Sequence, residues 1–246
     1  MERWNGKVAL VSGATSGIGR AVAARLAAGG MSVVATGRRE DRLTGLASEL
    51  GKNLTPVAAD LRDERSISRL FERARGTHGG VDVLVNAAGL GRHAPLLNGA
   101  TDAWREMLEV NVLALAVLTR EAVRDMRERG DDGHVIHLSS MAAHRVPEES
   151  GLYSATKFAV RSLTEGLRRE LRAAGSGIRV TSISPGFVET EFAERYWGDP
   201  AAAERTYGRY RVLDAEDVAD LVEMTLTRPA HVQLHDVLVR PTDQPD

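Results

Sequence analysis

The chain alternates between two kinds of segment. Short apolar runs rich in β-branched residues occur at 7–13 (KVALVSG), 31–37 (MSVVATG), 54–59 (LTPVAA), 81–89 (VDVLVNAAG), 133–140 (GHVIHLSS), 177–184 (GIRVTSIS) and 235–240 (HDVLVR). Between them lie longer Ala/Leu/Arg/Glu stretches with apolar residues at helical spacing, among them 20–29 (RAVAARLAAG) and 164–175 (TEGLRRELRAAG). Apolar runs of this length fit strands buried on both faces, and the helices between them make βαβ crossovers. The pattern predicts one α/β domain over 1–246, a doubly wound parallel seven-stranded sheet with about six helices divided between its faces. One long stretch, 187–213, shows no clear period yet holds Tyr196, Trp197, Tyr207 and Tyr210. Long loops inside a compact domain are usually functional or disordered. The aromatics predict a lid over a substrate, with an oligomer contact or a packed core edge as the alternative.

Composition narrows the function. Of 246 residues, 43% are hydrophobic and 27% charged, enough for a substantial core under a polar surface. Basic and acidic residues number 32 and 34, so no charge excess points to a nucleic-acid or anionic-membrane partner. There is no cysteine, which excludes disulfides, thiolate catalysis and Cys-ligated zinc. The seven histidines show no metal-ligand spacing, and no metal is expected. The longest strongly apolar run, Val112 to Leu118, is far short of a membrane span, and no signal-peptide pattern is visible. The expectation is a soluble, cytoplasmic protein.

Candidate chemistry begins after the first strand. In VALVSGATSGIGRAV, Gly13, Gly17 and Gly19 stand where a buried strand turns into a helix. Glycines there permit a tight turn and close approach of a pyrophosphate, and the helix start offers unpaired N–H groups, as in Rossmann-type folds. Gly13, Thr15, Ser16, Gly17, Ile18 and Gly19 are thus the candidate phosphate cradle. At the end of the second strand an acid holds the ribose of NAD, whereas Arg accommodates the 2′-phosphate of NADP. Here Gly37 takes the acidic position and Arg38 and Arg39 follow, while Glu40 and Asp41 come too late. The cofactor expected is NADP(H). Asp60, with Leu61 beside it, follows the third strand; it serves either the adenine amino group or a helix N-cap.

The reactive centre is read from Tyr153. The chain has only three lysines, and one, Lys157, stands four residues after this tyrosine, on the same face of a helix. A cation there favours the phenolate, so Tyr153 becomes able to exchange a proton with a carbonyl or alcohol oxygen. Ser140 ends the preceding apolar run and is placed to orient that oxygen; strand alternation lets only one of Ser139 and Ser140 face the cofactor easily. Asn111 is a polar residue in an apolar helical run, either holding a water linked to Lys157 or acting as a satisfied core amide or helix kink.

Together, SGATSGIG at 12–19, NAAG at 86–89, Asn111, SS at 139–140, YSATK at 153–157 and SPGFVET at 184–190 resemble the short-chain dehydrogenase/reductase family in its single-domain form. The motifs stand in the family's order and spacing over nearly the whole chain. The resemblance implies strand order 3-2-1-4-5-6-7 and a catalytic tetrad of Asn111, Ser140, Tyr153 and Lys157. It implies that Asn86, Ala87 and Gly89 flank the cofactor, with Pro185, Gly186, Val188 and Thr190 toward its nicotinamide end. It also implies a homo-oligomer, a tetramer or a dimer. Ser12 departs from the family's usual Thr but keeps the hydroxyl. MERW, DDGHVIHLSSMAAHRV and RPAHVQLHDVLVRPTDQ resemble a branch that uses NADP(H) on hydrophobic carbonyls and alcohols, ketosteroids and isoprenoid alcohols among them.

Substrate contacts are expected from Ser140, His144, Tyr153, Phe187, Tyr196 and Trp197; His144 and His93 read equally well as loop-surface histidines. The C-terminal RPTDQPD either covers a neighbouring subunit or frays. The reading is an NADP(H)-dependent oxidoreductase interconverting a small carbonyl compound and its alcohol. A cofactor-binding sensor or scaffold without turnover is the alternative. A sugar-nucleotide epimerase would need a further substrate domain, for which the length leaves no room.

Overall fold

Alternate residues of the first strand face opposite sides of the sheet, and both sides are covered. The computed structural model describes residues 1–245. In β1 (Val8–Ser12), Ala9 and Val11 pack into an apolar cluster with Val22 and Leu26 of α1 (Gly17–Ala28) and Val218 and Val222 of α9 (Ala215–Leu226). Val8 and Leu10 point the other way, against Leu70 and Phe71 of α3 (Glu64–His78) and Leu118 and Met126 of α5 (Leu115–Glu128). β4 (Val83–Asn86) divides its residues the same way, Val83 and Val85 to one cluster and Leu84 to the other. Two buried faces explain the near-continuous apolar runs.

The remaining strands are β2 (Ser32–Gly37), β3 (Leu54–Ala58), β5 (His134–Leu138), β6 (Arg179–Pro185) and β7 (Asp236–Val239). All pair in parallel in the order β3-β2-β1-β4-β5-β6-β7. Each lies within the run that predicted it except β6, which extends one residue further to Pro185, and the order is the one the resemblance implied. Chain progression reverses direction between β1 and β4, leaving a crevice at their carboxyl ends, where open α/β sheets bind ligands.

The helices depart more from expectation. Nine α-helices are present among the described residues, including α2 (Glu40–Leu50) and three not foreseen: α4 (Thr101–Leu108), α7 (Phe192–Trp197) and α8 (Ala202–Tyr207). The last two lie in the stretch that showed no period. α6 (Gly151–Ala173) begins well before the periodic stretch at 164, so Tyr153 and Lys157 occupy its first two turns. Between α4 and α5 the chain makes a π-helical turn, Glu109–Ala114, that contains Asn111. Gln244 of the tail packs on its own chain: it is buried, and its Oε1 accepts from the Phe187 N–H at 3.0 Å. Asp246 lies outside the described residues.

Candidate active site

The carboxyl ends of the central strands open into one cavity of ≈ 700 Å³. Its first wall is the turn after β1. Gly13 has φ +71°, and a Cβ there would lie 2.8 Å from the Ala88 backbone, while one on Gly19 would overlap the carbonyl of Gly13. Only glycine satisfies these approaches, which leave a wall without side chains at the start of α1. Thr15, Ser16, Gly17 and Ile18 line the same wall, and no side chain caps the first turn of α1. Its unpaired N–H groups suit phosphate. The Ser12 hydroxyl accepts from the Ala88 N–H at 3.1 Å, tying β1 to the turn after β4.

At the far end β2 stops at Gly37, and Glu40 and Asp41 fall in the first turn of α2. Arg38 and Arg39 both line the cavity but differ in state. The Arg38 side chain is 52% exposed, and the nearest acid paired with it is Glu106 at 3.9 Å. Arg39 donates to Thr15 Oγ1 at 2.9 Å, Ser16 Oγ at 2.7 Å and Glu191 Oε2 at 2.9 Å. Asp60 and Leu61 also line this end. Asp60 accepts from the Arg62 N–H at 3.1 Å and from its guanidinium at 2.6 Å, and chiefly that ion pair lowers its pKa. The cap of α3 is instead Asp63, which accepts from the N–H groups of Arg65 and Ser66. The capping alternative for Asp60 therefore falls away.

The centre joins Tyr153, Lys157 and Ser140. Tyr153 faces the cavity, and Lys157 Nζ is buried 5.9 Å from its ring centroid, donating to the Leu138 carbonyl at 2.9 Å. Burial pushes the phenol up to about 12, against a hydrogen bond with Ser140 that pulls it down. Burial also lowers the Lys157 ammonium to about 8. The lowering expected from the ammonium together with a cationic nicotinamide is therefore not seen in the chain by itself, where desolvation dominates. Ser139 and Ser140 both border the cavity; Ser140 caps a 3₁₀ turn there, accepting from the Ala142 N–H at 3.1 Å. Ser139 Oγ is buried without a hydrogen-bond partner among the described residues.

Asn111 does not line the cavity. Its amide accepts from the Leu90 N–H at 2.9 Å and donates to the Leu90 carbonyl at 2.8 Å and Thr156 Oγ1 at 3.1 Å. It is a satisfied core amide in a π-helical turn, clamping the loop after β4 against α6. Asn86 is likewise withdrawn: it is buried in β4 and donates to Thr119 Oγ1 at 3.1 Å, so contact with a cofactor falls to Ala87 and Gly89. Pro185, Gly186, Val188 and Thr190 line the wall opposite.

Aromatic rings close the remaining side. Tyr153 lies 5.4 Å from Phe192 and 6.1 Å from Tyr196, and Tyr196 meets Trp197 edge-on at 5.1 Å. Phe187 and Tyr207 complete this wall, whereas Tyr210 does not reach it. His144 is also displaced from the expected position. Its Nε2 lies 3.2 Å from both Ser184 Oγ and Asp236 Oδ2, so it braces β6 and β7 outside the cavity. His93 stacks on Trp197 at 4.6 Å and meets Glu149 at 2.9 Å. The residues that sequence reasoning missed are Glu191, Phe192 and Gln244, each with a partner far away in sequence: Arg39, Tyr153 and Phe187 respectively.

The glycine cradle and the arginines fit a nicotinamide dinucleotide. Residues 7–200 match the family model for short chain dehydrogenase. The chain belongs to the short-chain dehydrogenase family. It is an oxidoreductase of that family, whose members bind a nicotinamide cofactor. It is 49% identical to "Dehydrogenase/reductase SDR family member 11" of Bos taurus, with 99% of each chain covered. It is 40% identical to "Farnesol dehydrogenase" of Aedes aegypti, again with 99% of each covered. Among solved structures it is similar to the closed form of serine dehydrogenase complexed with NADP+ (TM-score 0.93, 36% identity, 97% of this chain and 96% of that one). It is similar too to a family member from Burkholderia phymatum in complex with NAD (TM-score 0.87, 30% identity, 97% and 90% covered). No helix among the described residues is long and apolar enough to cross a membrane.

Proposed function

We propose that this chain is an NADP(H)-dependent carbonyl reductase, reversible to alcohol oxidation, that acts on a hydrophobic ketone or aldehyde such as a ketosteroid or isoprenoid compound. The observation that carries the reading is Tyr153 facing the cavity beside Ser140, with buried Lys157 one turn further along α6 and an aromatic wall against the phenol. NADP(H) is favoured because no acid stands at the end of β2 and two arginines line that end. The apolar character of the substrate rests on Phe187, Phe192, Tyr196 and Trp197, and on the likeness to a farnesol dehydrogenase.

When bound, the nicotinamide ring supplies or takes up the hydride. The chain manages the oxygen. Ser140 Oγ already accepts from Ala142, and its single proton, which favours the Tyr153 oxygen in the chain by itself, turns to the substrate oxygen. Tyr153, a neutral phenol at pH 7, gives its proton to that oxygen during reduction. Lys157 and Ser140 then hold the phenolate until it is reprotonated, and Lys157 has two further N–H donors for the ribose hydroxyls. Asn111 is a positioning residue that keeps the Gly89–Leu90 loop against this centre. The domain comprises 1–246, with 187–213 its substrate lid, and it works in the cytoplasm as a homo-oligomer, a tetramer before a dimer. Exposed Leu108 and Leu113 beside α4 and α5, and Phe158 and Leu163 on α6, favour such assembly.

NADPH consumption across hydrophobic ketones, diketones, steroids and aldehydes tests the proposal, with Tyr153→Phe as control. Turnover that disappears in the variant is expected. Tight NADPH binding without turnover on any substrate would favour the sensor reading instead.

A further inference from the structure

Arg38 and Arg39 are adjacent, yet they hold different things. Arg38 projects half exposed, whereas Arg39 is spent on the hydroxyls of Thr15 and Ser16 and on Glu191. Glu191 is the residue that precedes α7, the first helix of the 187–213 lid. Its carboxylate accepts from Arg39 at 2.9 Å, from Arg42 of α2 at 2.5 Å and from Arg195 of α7 itself at 2.7 Å. One side chain therefore joins the lid to the start of α2 and, through Arg39, to the glycine-rich turn. The other end of α7 is held separately: the Tyr196 carbonyl accepts from the His93 N–H at 2.8 Å on the substrate side.

We propose that Glu191 is a positioning residue, clamped by Arg39 and Arg42 so that the lid stays shut along the cofactor groove and sets how long the cofactor remains bound, while discrimination between the two nicotinamide cofactors falls to Arg38. The cofactor part rests on the reading that the groove takes a nicotinamide dinucleotide.

An exposed ion pair alone contributes little, on the order of 0–1 kcal/mol. Glu191 differs in geometry, because its side chain is only 33% exposed and three guanidiniums converge on two oxygens. Charge-assisted bonds of this length are the strong ones. Partial burial works against the charge, but hydrogen bonds from Arg42 and Arg39 hold the Glu191 carboxyl down at about 2. The clamp is therefore ionised throughout the neutral range and yields to salt rather than to pH. A phosphate that sought Arg39 would have to break its bonds to Thr15 and Ser16, whereas Arg38 has no such ties to surrender.

Glu191→Gln keeps the shape and removes the charge, and Arg42→Ala opens the clamp from the other side should the first variant fold poorly. Two readouts separate the clamp from the cofactor assignment. In the protein alone, amide hydrogen exchange over 192–207 should accelerate roughly tenfold in Glu191→Gln, which loses three ion pairs, and by a smaller factor in Arg42→Ala, which loses one. High salt should raise wild-type exchange and add little to Glu191→Gln. In stopped-flow displacement, NADPH and NADH should both leave roughly 5- to 10-fold faster, with their ratio unchanged. Unchanged lid exchange overturns the proposal. So does a variant that tightens NADPH alone, which would make Glu191 a competitor of the phosphate. If neither cofactor binds, the cofactor assignment fails, and the exchange measurement still decides the clamp.

Discussion

Lys157 Nζ donates to the main-chain carbonyl of Leu138 at 2.9 Å, which fixes the ammonium at the end of β5 beside the Tyr153 ring. One carbonyl does not replace the water around an ammonium, so burial brings Lys157 down to about 8 and the phenol up to about 12. Reduction needs the neutral phenol and oxidation the phenolate.

Reductive kcat should accordingly stay flat from pH 6 to the Lys157 value of about 8, because both groups keep their protons there. Oxidative kcat should rise with pH over the same range. Lys157→Met removes the cation that favours the phenolate, and the oxidative rate should fall ~10²–10³-fold, with its pH limb moved upward. The check is a pair of kcat–pH profiles. An oxidative limb that stays where it was in the variant would free Lys157 of this role.

Arg38→Ala should raise the KM for NADPH at least tenfold, a loss of ~1.4 kcal/mol, and leave NADH nearly unchanged. Arg39→Ala should instead weaken both cofactors, because Arg39 organises Thr15, Ser16 and Glu191. Steady-state KM values for both cofactors in both variants make the comparison. Equal losses for NADPH and NADH in Arg38→Ala would remove the 2′-phosphate assignment.

Two glycines should respond differently to the same methyl group. A Cβ on Gly19 meets backbone, which has nowhere to move, so Gly19→Ala should cost ~1–3 kcal/mol and abolish cofactor binding. A Cβ on Gly91 would meet the ring edges of Phe192 and Tyr196 at 2.6 Å, which are side-chain atoms that can turn where backbone cannot. Gly91→Ala should keep its thermal midpoint within a few degrees and raise KM several-fold for bulky substrates only. Thermal melts and a size series of ketones test both.

The strands were legible because burial on two faces writes an unbroken apolar run, as in Val8–Val11. The glycine-rich turn, Tyr153, Lys157 and Ser140 were legible because their spacing along one turn or one helix face already carries the geometry. What failed was direction. His144 and Asn86 stand near the site in sequence, yet Asp236 and Thr119 draw their side chains elsewhere. No apolar period marks the first turns of α6, because the residues buried there are polar: Ser154, Thr156 and Lys157. Six-residue helices such as α7 and α8 are too short to show a period at all. Glu191 escaped because its partners Arg39 and Arg42 are some 150 residues away, and only the fold brings them together.

The last prediction concerns acid. His137 is buried in β5, its Nδ1 2.8 Å from Thr164 Oγ1 and its Nε2 3.1 Å from Thr119 Oγ1. Both hydroxyls also reach helix carbonyls, of Val160 and Leu115, each at 2.7 Å. A neutral imidazole has one donor and one acceptor, so one threonine must turn its proton from its carbonyl to the ring. Burial, with Lys157 nearby, nonetheless holds the ring neutral and lowers its pKa to about 3. The unfolded chain takes up this proton near the usual 6.5. Between about 3 and 6.5 the unfolded state therefore binds more protons, and stability must fall as pH falls through that window. At pH 5 the contribution of His137 should be a loss of about 2 kcal/mol relative to pH 8. His134, buried and also lowered, adds to the slope in the same direction. Urea midpoints at pH 5 and 8 check this, with His137→Gln expected to lose less between the two conditions than the wild type. An equal loss in both proteins would mean that the ring carries its proton in the fold, shared between the two threonines.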